Sequence, residues 1–126
     1  MLIEEYFNEI ENNINSCPFI HSYNLVKDKR SLHIGFIEGT IWFIDNSSLH
    51  FVEFIDVSEK VEKYKYSYHY VDDNGVMIFR YDMAPHFKDV ETFPHHKHEG
   101  EKKIVASKEP SLKEILYEIE KLILLY

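Results

Sequence analysis

The stretch Lys63–Asp82, KYKYSYHYVDDNGVMIFRYD, decides the fold because it holds two alternating runs on either side of the dipeptide Asn74-Gly75. Asn-Gly is typical of a two-residue hairpin turn in which both central residues take positive φ. That turn predicts an antiparallel hairpin with His69 opposite Arg80. A three-residue bulged turn would shift the pairing by one residue and scramble the aromatic positions, so the hydrophobic pattern favours the two-residue register.

The predicted hairpin has one aromatic face and one polar face. The aromatic face, on which helices can pack, carries Tyr66, Tyr68, Tyr70, Phe79 and Tyr81. The polar face carries Lys65, Ser67, His69, Arg80 and Asp82. This polar face is either the solvated side of a half-buried sheet or a functional site, and the many histidines nearby favour a site.

The flanking sequence predicts further strands and two helices. Apolar spacing predicts a helix over about residues 2–16 and strands over 19–28 and 49–57. Residues 31–45 form one bent strand or two, with a bulge or tight turn at Gly39. Ser111 and Glu114 form a capping box that starts a C-terminal helix. We therefore expect a single α+β domain over residues 1–126, in which about five antiparallel strands between residues 19 and 82 precede a loop and lie between two terminal helices.

Composition excludes several classes of protein. The chain has one cysteine, Cys17, so an intramolecular disulfide and a Cys-rich zinc site are excluded, which suits a reducing cytoplasm. The acidic first residues do not resemble a signal peptide, and no apolar run is long enough for a membrane helix. The net charge of −8 argues against a chain-wide nucleic-acid footprint. A local polyanion site stays open, because residues 59–103 hold eight Lys and Arg against nine Asp and Glu, together with five histidines.

The stretch Tyr81–His98, YDMAPHFKDVETFPHHKH, carries four of the eight histidines. Pro85 and Pro94 stiffen this segment, which lowers the entropy lost when imidazoles are held against the sheet. We expect one concave site to include His69, Arg80, Asp82, His86 and at least one of His96 and His98.

These motifs resemble the TumE family, the toxin components of bacterial and archaeal toxin–antitoxin pairs. The resemblance rests on YSYHY at 66–70, RYDMAPHF at 80–87 and FPHHKH at 93–98, and extends to LHFVEFID at 49–56 and the last helix. The chain departs from the family pattern at Met83, where the family has Asn, and at Phe87, where it has a second His. The resemblance implies a cytoplasmic, growth-inhibiting protein that is neutralised by a small, usually DNA-binding antitoxin.

These stretches contain the residue types that cleavage of RNA without a metal ion requires. One group must remove a proton from a ribose 2′-OH, another must protonate the leaving oxygen, and a cation must offset the charge on phosphorus. Imidazoles can act as acid or base, Arg80 can bind phosphate, and Asp82 or Glu53 can orient an imidazole. The candidate catalytic residues are His69, Arg80, Asp82, His86 and His96. The candidate substrate-binding residues are Lys65, Tyr81, His95, Lys97 and His98.

Two other functions stay open. His96 and His98 lie on one side of an extended strand and can share a zinc ion with His86 or Asp82, leaving a fourth position for water. No HExxH helix or cysteine pair reinforces this His-x-His spacing, so it is a weak indication of a metal hydrolase. The third alternative is a binding module that inhibits growth by occupying a partner without turnover. The sequence leaves the oligomeric state open.

Overall fold

The computed structural model describes residues 1–83, 95–100, 103–106 and 108–125. The elements in chain order are helix α1 (Ile3–Asn15), strands β1 (Ile20–Lys29), β2 (Ile34–Phe43), β3 (Ser48–Asp56), β4 (Glu62–Val71), β5 (Met77–Met83), β6 (His95–Glu99) and β7 (Lys103–Ala106), and helix α2 (Leu112–Leu124). Within these residues, seven strands form one antiparallel sheet in the order β1 to β7. The predicted α+β class with a helix at each end is confirmed.

Both helices pack on one face of the sheet, and we call the other face the open face. The apolar side of α1 and that of α2 lie in one core cluster with alternate residues of the central strands. The predicted aromatic face belongs to this core: Tyr66, Tyr68, Tyr70 and Phe79 are buried, and Tyr81 is partly buried against them. The side chains of Lys65, His69 and Arg80 alternate with these residues and are more accessible to solvent, so the predicted assignment of the two faces is confirmed.

Both helices begin with the carboxylate contacts that their sequences favour. In α2, the Ser111 Oγ accepts the backbone N–H of Glu114 at 3.2 Å, which confirms the predicted capping box. In α1, the Glu5 side chain accepts the backbone N–H of Leu2 at 2.8 Å. An acid at this end also interacts favourably with the helix dipole. No helix in the residues described is long and apolar enough to cross a membrane.

The sheet extends beyond the five predicted strands. β1 to β5 account for the strands expected between residues 19 and 82, and β6 and β7 lie in the segment that was expected to be a loop. β6 pairs with β5 along its whole length, from Met83 opposite His95 to Phe79 opposite Glu99. The sequence HHKHE of β6 has no hydrophobic alternation, which is why the periodicity argument missed it.

The turn between β4 and β5 differs from the predicted one, although the register agrees. Gly75 has a φ of 80°, whereas Asn74 does not take positive φ, so the predicted turn with two positive-φ residues is wrong. The Asp72 N–H donates to the Val76 carbonyl at 2.9 Å and closes a three-residue loop. Such a loop shifts the pairing by one residue, and a bulge at Ile78 shifts it back. His69 therefore lies opposite Arg80 as predicted, because the two irregularities cancel.

Gly39 occupies a regular position in the single strand β2, so the predicted bulge or turn there is wrong. It pairs with Leu25 on one side and Phe51 on the other without a shift of register. A Cβ atom at this position would lie 2.5 Å from the Phe51 ring and 2.7 Å from the Leu25 Cδ2. Glycine is needed because these two side chains occupy the space above the backbone, and not because the chain turns.

Candidate functional site

A row of imidazoles and one guanidinium crosses four adjacent strands on the open face. His50 on β3 lies opposite His69 on β4, His69 lies opposite Arg80 on β5, and Arg80 lies opposite His98 on β6. Directly opposed residues share one face of a sheet, with Cβ atoms about 5 Å apart. We call His50, His69, Arg80 and His98 the His–Arg row.

Asp82 fixes the position of Arg80 within this row. The Asp82 Oδ2 accepts from the Arg80 Nε at 2.8 Å and lies 2.6 Å from the Nη2. The Asp82 side chain is 11% exposed, whereas that of Arg80 is 38% exposed. The carboxylate therefore lies beneath the guanidinium, which keeps one side open to solvent.

Asp82 also lies close to the last imidazole of the row. The His98 Nε2 is 3.7 Å from the Asp82 Oδ1 and 3.5 Å from the Arg80 Nη2. Only 12% of the His98 side chain is exposed. One carboxylate thus binds the guanidinium and lies beside the imidazole on the same face.

His69 lies in surroundings that disfavour its charged form. Burial, followed by the charges of Arg80 and His50, lowers the pKa of His69 below its usual 6.5. An imidazole with a lowered pKa is mostly neutral near pH 7 and can accept a proton. The row therefore holds a neutral imidazole directly beside a fixed cation.

Sequence reasoning missed two members of this site, His50 and Glu38. The His50 Nε2 lies 2.9 Å from the Glu38 Oε1, and both side chains are about half exposed. The alternation of Leu49, Phe51 and Glu53 already indicated that His50 lies on the opposite side of β3 from the core. No tight-turn motif joins β3 to β4, so the pairing of His50 with His69 could not be read from the sequence.

The open face also carries other predicted residues. Lys65 is exposed and lies opposite Phe54, four positions along β4 from His69. The backbone of His96 pairs opposite that of Asp82, which is the register position next to His98 on this face. His86, Phe87 and both prolines of the stretch lie outside the described residues.

Three predicted substrate-binding residues lie on the helix-covered face instead. The Tyr81 hydroxyl and the Lys97 Nζ donate to the two oxygens of Glu118 on α2, at 2.5 and 3.0 Å. Burial and the Glu118 hydrogen bond raise the pKa of Tyr81 to about 12. The His95 Nδ1 lies 3.1 Å from the Tyr66 hydroxyl, and the two rings stack. The structure therefore does not bring Tyr81, His95 and Lys97 together with His69.

Glu53, which was expected to be able to orient an imidazole, is buried on the helix-covered face. It accepts hydrogen bonds from the hydroxyls of Tyr6 and Tyr68, and the Lys63 Nζ lies 3.6 Å away. These contacts place the Glu53 carboxylate on the opposite side of the sheet from His69, so it does not orient that ring.

No three His, Cys, Asp or Glu side chains within the described ranges are placed to share a metal ion. The side chain of His96, which the zinc interpretation needs, and that of His86, one of its two candidates for the third ligand, are not among those described. The geometry of the proposed zinc ligands therefore stays a prediction from sequence.

Comparison with known proteins identifies the family. No curated protein and no solved structure matches the chain. A family model described as Toxin TumE matches residues 8–123, which span the sheet, most of both helices and all three motifs noted in the sequence. The chain therefore belongs to the TumE toxin family.

Proposed function

We propose that this toxin acts in the cytoplasm by cleaving RNA on the open face without a metal ion. Membership of a toxin family implies a cognate antitoxin, and we propose a small DNA-binding protein for that role. The observation that carries the proposal is the order His69, Arg80, His98 across three adjacent strands, with Asp82 bound to Arg80. An acid, a base and a phosphate ligand on one surface satisfy the requirements of phosphodiester cleavage.

Each residue has a defined role in the proposed reaction. Neutral His69 removes the proton from the ribose 2′-OH, and the 2′ oxygen attacks phosphorus. Arg80 binds the phosphate oxygens and stabilises the additional charge in the transition state. His98 gives a proton to the 5′ oxygen as the P–O5′ bond breaks, which leaves a 2′,3′-cyclic phosphate and a free 5′-OH.

Three histidines are candidates for the acid in this reaction. His98 is the first candidate because its Nε2 lies near both Arg80 and Asp82. His96, which pairs opposite Asp82, and His86 remain alternatives for the same role. Replacement of each histidine by Gln, in turn, distinguishes the three.

The proposal is tested by cleavage of RNA by the purified chain in the presence of a metal chelator. Single His69→Gln and Arg80→Gln variants should retain the fold, because both side chains lie outside the aromatic core, and should lose about 10²- to 10⁴-fold in rate. The matched control is His21→Gln, which changes an exposed histidine of β1. Circular dichroism verifies that each variant is folded.

Three results would overturn the proposal. Cleavage by His69→Gln at the wild-type rate would show that His69 is not the base. Cleavage that a chelator abolishes would favour a metal hydrolase. Growth arrest without new RNA ends, when the gene is induced without its neighbour, would favour a binding module instead.

A further inference from the structure

Trp42 lies on the open face next to the His–Arg row. On β2 it pairs with Ser48, while Thr40, two residues earlier, pairs with His50. Trp42 is therefore the diagonal neighbour of His50, at a distance of about 7–8 Å that large side chains can span. Its side chain is 38% exposed, although the same strand buries Ile41 and Phe43 completely or almost completely on the other face.

Other large apolar side chains lie on the open face across the row from Trp42, nearer the opposite end of β2. Phe54 on β3 and Tyr64 at the bulge of β4 have ring centroids 5.7 Å apart, and Tyr64 is 46% exposed. Val26, which faces the same side from β1, is 60% exposed. Trp42 is therefore separate from this group, and lies beside His50 at one end of the His–Arg row.

We propose that the open face binds single-stranded RNA, with one base stacked on Trp42 and a phosphate further along the RNA at Arg80. This inference deepens the function proposed above and rests on it for the identity of the polymer. Single-stranded RNA is favoured because its bases can unstack onto aromatic side chains, whereas those of a duplex are stacked on each other. Within the part of the chain that the structure describes, no helix packs on the open face, so the sheet offers the flat surface that such stacking needs.

Charge limits how this ligand can bind. Arg80 and Lys65 supply positive charge on this face, but the carboxylates of Asp82 and Glu38 lie on it too, and the chain as a whole carries −8. Few phosphate contacts are therefore made, and stacking must provide much of the affinity. Since each neutralised phosphate of a single strand contributes about −0.7 to the slope of log K against log salt, we expect a slope between about −0.7 and −1.4.

Trp42 is the only tryptophan of the chain, so its fluorescence reports directly on this site. The probe is a short 2′-O-methyl RNA oligonucleotide, which cannot be cleaved because its 2′ oxygen is blocked. The single strand should quench Trp42, whereas the same sequence in a duplex and inorganic phosphate should not.

Affinity is measured separately, by the anisotropy of the labelled oligonucleotide. Trp42→Leu should weaken binding by about 5- to 150-fold, which corresponds to the loss of one stacked base. The matched control is Tyr117→Leu, which removes a 59%-exposed aromatic side chain from α2 and should leave affinity unchanged.

The outcomes separate this inference from the proposed reaction. Equal quenching by duplex, or unchanged affinity of Trp42→Leu, overturns base stacking even if RNA is cleaved. Quenching by the single strand without any cleavage of RNA would support the binding site and contradict only the proposed reaction. A fluorescence change that depends on protein concentration and not on RNA would assign the open face to a second copy of the chain, and would also overturn the inference.

Discussion

The histidines of this protein differ because the sheet places them in different surroundings. His95 stacks on Tyr66 on the helix-covered face, whereas His69 lies between His50 and Arg80 on the open face. Burial and two basic neighbours lower the pKa of His69 below its usual 6.5. A lowered pKa keeps a general base deprotonated further into the acid range.

The pKa of His69 should rise when a basic neighbour is removed. In Arg80→Gln and His50→Gln it should move towards 6.5 and stay below it, because burial is the largest cause of the shift and remains. NMR titration of the His69 ring measures this directly. In His50→Gln, which keeps Arg80, the acid limb of the pH–rate profile should move to higher pH. A wild-type pKa at or above 6.5 would contradict the environment described for His69.

The sequence predicted which residue types belong to the site better than it predicted which residues lie next to one another in the sheet. Arg80, Asp82 and His69 were expected together because a hairpin motif fixed their register. His50 and Trp42 were missed because they reach the site through pairings of β2, β3 and β4 that no turn motif specifies. Tyr81 and Lys97 alternate with Arg80 and His98 along their strands, so the pleat places them on the other face.

Among the elements, the β4–β5 hairpin carries the site because it sets His69 against Arg80. Its loop uses positive φ at Gly75 alone, so the two residues of the Asn-Gly motif have different roles. Gly75→Ala should destabilise the chain by about 1–2 kcal/mol, the cost of an L-residue in the left-handed region, since no atom lies within 4 Å of an added Cβ.

The control for this substitution is Asn74→Ala, which should cost less than about 0.5 kcal/mol because its φ is negative. Urea unfolding of both variants gives the comparison. Equal losses from the two changes would indicate the two-residue turn first expected from the sequence, and would rule out the three-residue loop.

The hairpin also shows why register was easier to predict than turn geometry. Alternating tyrosines determine which residues face the core, and the burial of four aromatic rings penalises any slip. The turn itself is exposed, and a bulge at Ile78 absorbs its extra residue at little cost. Burial thus constrained the pairing of the strands, while the path of the chain between them was free to vary.

At the scale of the whole molecule, a buried polar cluster on the helix-covered side of the sheet connects both helical ends of the chain to the central strands. Glu53 on β3 accepts from Tyr6 of α1 and Tyr68 of β4. The Lys63 Nζ donates to the Tyr68 hydroxyl at 2.7 Å and to the Pro110 carbonyl just before α2. Both charged side chains are less than a tenth exposed, so the cluster connects both ends of the chain to the sheet within the core.

Breaking this cluster on one side should destabilise the whole fold. Glu53→Leu leaves Lys63 buried without its carboxylate, and Lys63→Met leaves Glu53 buried without its ammonium, so each should cost about 3–5 kcal/mol in the free energy of unfolding. The double variant removes both charges and should cost at least about 1 kcal/mol less than the sum of the single changes. The two tyrosine hydroxyls then lose an acceptor, which prevents complete recovery.

Urea unfolding of the four proteins measures the coupling between Glu53 and Lys63. Glu4→Ala, which removes the exposed partner of Lys29, is the control and should hardly change stability. Strictly additive losses at positions 53 and 63 would show that the two charges do not stabilise each other. Because the cluster lies on the opposite side of the sheet from His69, a variant that still folds should keep the pKa of His69 and the fluorescence response of Trp42. A change in either would mean that the cluster also shapes the open face.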